Sequence, residues 1–409
     1  MEPKIRLKGF SGEWKEMSLL DVVSLYNGLT YTPNDIRNHG TLVLRSSNVQ
    51  EGEITLLDNV YVRNEVATSP NVEKGDIIVV VRNGSRALIG KHAQIKETMP
   101  NTVIGAFMAG MHTDEPEFMN ALLSTDRFNN EVNINLGATI NQITNGTFRS
   151  MKFLFPAEEE QQSIGEFFQN LDSLILSTTK KIESLKQVKA ASLQSMFPQE
   201  GETKPRVRFK GFEGEWEKVM VGNMGTTYSG LTGKTKEDFG QGDAKFITFL
   251  NVLTNAKIDI SILEPVNVCP GEHQNEVKKG DILFNTSSET PEEVGMCAVM
   301  DEDIENVYLN SFCFGFRITD EHIEPTYIAY LMRSQIGRKI MSILAQGATR
   351  YNLSKNSFCK VELLVPTSRE EQKTIAAYFT NLDSQIALQS QRLEKLKQIK
   401  SSCLDNMFI

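Results

Sequence analysis

The sequence predicts an α+β protein made of two similar mixed α/β domains, each followed by a long helix. Three observations lead there. A helical stretch occurs twice, at about 156–197 and 366–408, with its residues matched 211 positions apart. A short motif holding the only two tryptophans, Trp14 and Trp216, also occurs twice. Between motif and helix, short strand-like runs alternate with Gly, Asn and Pro turns, and helical patterns lie near 116–130 and 325–344. One module is therefore written twice.

The module begins with Arg-Leu-Lys-Gly-Phe-Ser-Gly-Glu-Trp-Lys-Glu at 6–16 and Arg-Phe-Lys-Gly-Phe-Glu-Gly-Glu-Trp-Glu-Lys at 208–218. A Gly-rich turn followed by a Trp anchor reads as structural. Tyr26-Asn-Gly-Leu-Thr30 answers Tyr228-Ser-Gly-Leu-Thr232, and Asn48-Val49 answers Asn251-Val252. Lys74-Gly-Asp76 and Lys279-Gly-Asp281 each precede an apolar run, which marks a strand reached through a tight turn. Gly90 answers Gly295, and Phe107 with Gly110 answers Phe312 with Gly315. Gly137-Ala-Thr139 answers Gly347-Ala-Thr349. The offset drifts from 202 to 211, so the copies differ by small insertions, which loops accept most readily. Between these anchors the copies diverge: Arg82-Asn-Gly-Ser-Arg86 stands where the second copy has Asn285-Thr-Ser-Ser-Glu289. Two readers of different targets would look like this, and so would simple drift of loops.

The long helices carry a heptad seam. Leu171, Ile175, Thr178, Ile182 and Leu185 alternate by four and three, continued by Ser192 and Met196. The second seam is Leu382, Ile386, Gln389, Leu393 and Leu396, continued by Cys403 and Met407. Leu171, Ile175, Ile182 and Leu185 are expected to pair with Leu382, Ile386, Leu393 and Leu396. Pro156 and Pro366 mark the starts, Ser368 with Glu371 resembles a capping box, and Pro198 stops the first helix. Each helix of about 40 residues would span roughly 60 Å, longer than globular packing needs. The expected division is thus a domain at 1–156, a helix at 157–200, a second domain at 201–366 and a helix at 367–409.

Composition excludes several classes. There is no run of apolar residues long enough to cross a membrane and no secretory signal, which points to the cytoplasm. Five cysteines without a C-x-x-C pair read as reduced, mostly buried thiols. The five histidines have no metal-ligand spacing. Gly230-Leu-Thr-Gly-Lys-Thr235 imitates a phosphate loop, but the position that needs the first Gly is Tyr228. No catalytic constellation stands out, so binding is the expected role. The net charge of −9 argues against tight nucleic-acid binding by the chain alone.

With the repeat laid out, the chain closely resembles the specificity subunits of type I restriction-modification systems. The resemblance rests on the Gly-Glu-Trp motif, the Lys-Gly-Asp turn, the Gly-Ala-Thr segment and the Pro…Glu-Gln…Ile…Leu-Asp helix signature (Pro156 to Asp172, Pro366 to Asp383), twice and in one order. It implies two target recognition domains, each reading one part of a split site in double-stranded DNA. It also implies that the helices pair as an antiparallel coiled coil, separate the domains with pseudo-two-fold symmetry, and dock two methyltransferase subunits. S-adenosylmethionine would belong to the methyltransferase, ATP and magnesium to restriction endonuclease subunits, and no cofactor to this chain. An isologous contact between two copies makes antiparallel helices the natural arrangement. The divergent interiors imply an asymmetric site.

Arginine suits guanine edges, Asn and Gln suit adenine, and hydroxyls hold phosphates. The candidate DNA contacts are therefore Arg82, Asn83, Ser85, Arg86, Asn141 and Gln142 in the first half. In the second they are Lys234, Thr286, Ser287, Arg350, Tyr351 and Asn352. Three other readings compete: a stand-alone DNA-binding regulator, a protein-binding adaptor, and an enzyme with an unrecognised site.

Overall fold

The structure is a computed structural model that describes residues 2–136, 141–269 and 271–409. Gly137-Ala-Thr139 lies outside the described residues. The chain forms two compact units, Met1–Lys180 with Ser390–Ile409, and Lys181–Gln389. The division falls inside both long helices, so each unit holds one globular part and a segment of each helix.

In the first unit an antiparallel sheet runs in the order Ser24–Asn27, Met108–His112, Ile77–Val80, His92–Gln94. A second sheet orders Thr102–Ile104, Thr41–Leu44, Val60–Val62 and Ile36–Arg37, its first pair parallel. Strand Ile77–Val80 is buried on both faces, which is why its sequence is apolar throughout and does not alternate. The tryptophan motif leads into Lys15–Ser18, paired with Lys152–Phe155 just ahead of the long helix. The second unit repeats this: Gly225–Ser229, Cys313–Ile318, Ile282–Asn285, Cys297–Val299 in one sheet, and Glu217–Met220 paired with Glu362–Val365. Its parallel pair is Phe239–Ile247 with Val307–Leu309.

The helical patterns near 116–130 and 325–344 each form two helices, not one. Pro116–Leu123 stops before Thr125, whose side chain caps Asp126–Asn135 by accepting from Phe128 N. Pro325–Arg333 likewise yields to Ser334, which caps Gln335–Leu344. Hydroxyl caps inside an apolar-periodic stretch are the cause.

The Lys-Gly-Asp turn has a definite purpose. Gly75 and Gly280 take φ of +99° and +87°, a region that favours glycine. The turn buries Asp76 and Asp281 to about 1 % exposure. Asp76 accepts from Tyr26 Oη at 2.6 Å and Glu73 N at 2.9 Å; Asp281 accepts from Tyr228 Oη at 2.6 Å and Lys278 N at 2.9 Å. Each tyrosine ring crosses a strand glycine so closely that a Cβ on Gly110 or Gly315 would lie 2.0 Å from it. The remaining carboxylate oxygen meets His112 Nδ1 at 3.0 Å in the first unit and Arg317 Nε at 2.8 Å in the second.

That difference predicts a difference in pH response. The hydrogen bond to Asp76 raises the His112 pKa, against partial desolvation. A raised folded pKa stabilises fully below the unfolded value of about 6.5 and the effect is lost as pH rises through the folded value. Urea midpoints should therefore fall across that window in the wild type, and less in His112→Gln. Identical pH dependence of the two midpoints would refute the assignment.

Two helices of 38 and 39 residues, Glu158–Ser195 and Arg369–Met407, follow the sheets. Within the first unit Phe168 packs on Phe408 (5.9 Å between ring centroids) and Asp172 pairs with Lys400 at 2.5 Å. One helix advances as the other retreats, so the segments are antiparallel. Within the second unit Phe197 stacks on Phe379 at 5.8 Å, Ser192 Oγ meets Tyr378 Oη at 2.9 Å, and Lys189 pairs with Asp383, again antiparallel. Every seam position, from Leu171 to Met196 and from Leu382 to Met407, is buried or half-buried.

The helix signature is a clamp. Arg6 donates to both oxygens of Glu160 (2.8 and 2.7 Å) and to Gly12 O at 2.8 Å. Arg208 donates to both oxygens of Glu371 (2.7 and 2.8 Å) and to Gly214 O at 2.6 Å. Glu371 therefore serves the motif arginine; only the Ser368 half of the expected capping box forms, with Glu371 N at 3.4 Å from Ser368 Oγ. Gln161 and Gln372 donate to Pro156 O and Pro366 O, both at 2.9 Å. Trp14 and Trp216 are buried, Trp14 edge-on to Phe408 and Trp216 edge-on to Tyr327.

Candidate nucleic-acid interface

In the first unit three loops meet where strand Ile77–Val80 ends. Val81 N and Arg82 N both donate to Phe107 O, at 2.9 and 3.2 Å. Ile143 N donates to Val81 O at 2.8 Å, and Arg82 bridges Gln142. Asn83 N reaches Asn141 O at 3.4 Å. The Phe107 ring is 53 % exposed, and the Arg82 guanidinium lies over it, 5.2 Å from the centroid. A cleft of ≈ 560 Å³ adjoins it, lined by Thr30, Tyr31, Arg45, Ser46 and Phe107 among others.

The second unit builds the same junction. Thr286 N donates to Phe312 O at 2.9 Å, Leu353 N donates to Thr286 O at 2.8 Å, and Ser287 pairs with Asn352. Phe312 is 57 % exposed. Its arginine is Arg350, 6.0 Å from the ring centroid. Arg82 occupies the bridge itself, whereas Arg350 comes from the opposing segment, two residues ahead of Asn352. The scaffold is shared and the cation arrives from the other side.

The candidate residues thus gather at two junctions, with different tasks. Asn83 forms a turn, its Oδ1 accepting from Ser85 N at 3.0 Å and its Nδ2 donating to Ser46 Oγ at 3.2 Å. Asn141 Nδ2 donates to Gly84 O at 3.2 Å. Arg86 donates to Asn133 O at 2.9 Å, closing a helix C-terminus. These three hold loops in place, and Asn352 Nδ2 does similar work on Arg350 O at 3.3 Å. Tyr351 is half-buried against the core of its unit.

Two candidates are more covered than the others. Lys234 stands apart from the junction: its ammonium meets Glu272 Oε2 at 2.6 Å with the side chain 5 % exposed, so its charge is already used within the fold. That contact holds the Glu272 carboxyl down to about 2, together with donors Gln274 Nε2 and Cys269 N. Ser287 is 6 % exposed within its strand pair with Asn352. Among the cysteines, Cys297 and Cys313 are buried, Cys359 and Cys403 half-buried and Cys269 exposed; burial pushes Cys297 up to about 11 and Cys313 up to about 12.

Phe107 and Phe312 were legible as matching anchors but not as site residues. The available signal was an apolar residue kept in both copies at a turn, outside strand alternation.

Among the described residues no cluster of His, Cys, Asp and Glu could hold a metal ion, and no helix is long and apolar enough to cross a membrane. The family described as type I restriction modification DNA specificity domain matches residues 11–187 and again 213–398. The chain belongs to that family. Specificity subunits among its relatives include those of the type I restriction enzymes EcoKI of Escherichia coli K12 and StySPI of Salmonella potsdam. Each is 21 % identical over 408 residues, covering 94 % of this chain and 87 % of the relative. The MjaVIII specificity subunit of Methanocaldococcus jannaschii is 24 % identical over 282 residues, covering 66 % of this chain and 64 % of its own. The fold is that of the type I S subunit from M. genitalium: TM-score 0.63, 15 % identity, 100 % of this chain and 99 % of that one. In this specificity chain the two family matches coincide with the two copies of the junction.

Proposed function

We propose that this chain is the DNA specificity subunit of a cytoplasmic type I restriction-modification complex. Each half reads one part of an asymmetric, two-part site in double-stranded DNA, and the long helices dock two methyltransferase subunits. Restriction endonuclease subunits complete the assembly. Methyl transfer and cleavage, with their S-adenosylmethionine, ATP and magnesium, belong to the partners; this chain performs no chemistry of its own. The observation that carries the reading is the same three-loop junction built twice on one scaffold, with an arginine delivered differently each time.

The acidic balance of −9 favours this over a stand-alone regulator, because phosphate neutralisation needs a surplus of cations that a partner must then supply. DNA affinity should rise markedly when the methyltransferase is added; equal affinity with and without it would oppose the reading.

Helix length should set the gap between the two parts of the site. One heptad inserted after Lys180 and another after Gln391 lengthens each helix by about 10 Å. At 3.4 Å per base pair the gap should grow by about 3 base pairs. The check is methylation mapping of a host carrying the lengthened chain. An unchanged gap would remove the helices from that role.

A further inference from the structure

We propose that each half reads a guanine with an arginine held ready against a loop phenylalanine: Arg82 on Phe107, and Arg350 on Phe312. This rests on the reading that each half contacts DNA.

The fold uses the backbone of the two phenylalanines and leaves their rings aside. Phe107 O and Phe312 O accept the amides that close the junction, and Phe312 N donates to Asn310 Oδ1 at 2.8 Å. Any residue but proline could supply those groups. The rings remain more than half exposed, while the next residues, Met108 and Cys313, are 2 % and 3 % exposed. A large apolar side chain presented to water at the same place in both halves calls for another task. In both halves an arginine lies over it, although the two arginines come from different segments of the junction.

Such a pair suits guanine in particular. An aromatic face attracts a guanidinium through the quadrupole of the ring. A guanidinium stacked flat on a ring would keep its N–H edge for a partner. That edge matches O6 and N7 of guanine in the major groove. Holding the side chain in advance reduces the ordering cost on binding. A lysine could carry the charge but not the planar fork. The fork also fits a phosphate, and the base-specific readout of the test separates the two. Because Arg82 and Arg350 approach from opposite segments, the guanine need not occupy the same step in the two parts of the site.

The test uses the full chain with its methyltransferase subunits. The probes are duplexes carrying the site mapped for the wild-type complex, and the same duplexes with single guanines changed to adenine. Arg82→Ala, Arg82→Lys and Phe107→Ala should each reduce discrimination at one guanine of one part by roughly tenfold, within the range for a bidentate pair. The other part should be read as before. Arg350→Ala and Phe312→Ala should do the same for the other part. Phe107→Tyr, which keeps an aromatic face, should retain discrimination. The inference is overturned if either part of the mapped site lacks guanine, or if the variants weaken all duplexes equally with discrimination intact, as phosphate contacts would. A wild-type complex that shows no two-part site overturns the proposed function, and this inference with it.

Discussion

Glu371→Ala should destabilise the second unit by about 3–5 kcal/mol, the usual cost of leaving one member of a buried ion pair alone. Glu371 is 1 % exposed and holds the Arg208 guanidinium by both oxygens, 2.7 and 2.8 Å away. That contact raises the Arg208 pKa, with the hydrogen bond to Glu371 the largest cause. Without the carboxylate the cation keeps the carbonyls of Gly214 and Glu213 and the more distant charge of the Glu213 side chain. Glu160→Ala should also destabilise the first unit, because Arg6 is held by both oxygens there. Replacing both partners by apolar residues should recover much of the loss, since no buried charge then remains unpaired. Urea unfolding followed by circular dichroism measures this. A loss below about 1 kcal/mol would place the pair among ordinary surface ion pairs.

Phe197→Ala should cost a similar amount, about 3–5 kcal/mol by loss of a fully buried aromatic ring. Phe197 is 0 % exposed and lies 5.7 Å from Tyr327 and 5.8 Å from Phe379, ring to ring. It ties the end of the first long helix to the start of the second inside one unit. Phe408 fills the equivalent place in the other unit, against Phe118, Phe168 and Trp14. Phe408→Ala is therefore expected to unfold at lower urea too. Phe197→Leu, which keeps most of the volume, should lose less. Equal losses for Leu and Ala would mean that packing at this point is loose.

The long helices were legible because the seam leaves an unambiguous period, and every seam position is buried or half-buried. The central strands were legible from the apolar runs after Lys-Gly-Asp. The reasons for the motifs were not legible. Nothing in the string joins Arg6 to Glu160 or Tyr26 to Asp76, since a charge or hydroxyl far away in sequence finds its partner only through the fold. The same holds for Lys234: a lysine in a glycine-rich loop looks unpaired in the string, and the fold brings Glu272 to it. The break between the paired helices at Thr125 and Ser334 was missed because the apolar period runs on through a hydroxyl cap. At the junction, sequence reasoning found the polar residues and overlooked the phenylalanines, because exposure is decided by packing and not by residue type.

The decisive measurement is a map of methylated adenines in the host genome with this gene present and with it deleted. The account predicts one two-part, non-palindromic motif that disappears on deletion while the methyltransferase is still made. A methylation pattern untouched by the deletion, or a single continuous palindrome lost with it, would contradict the account.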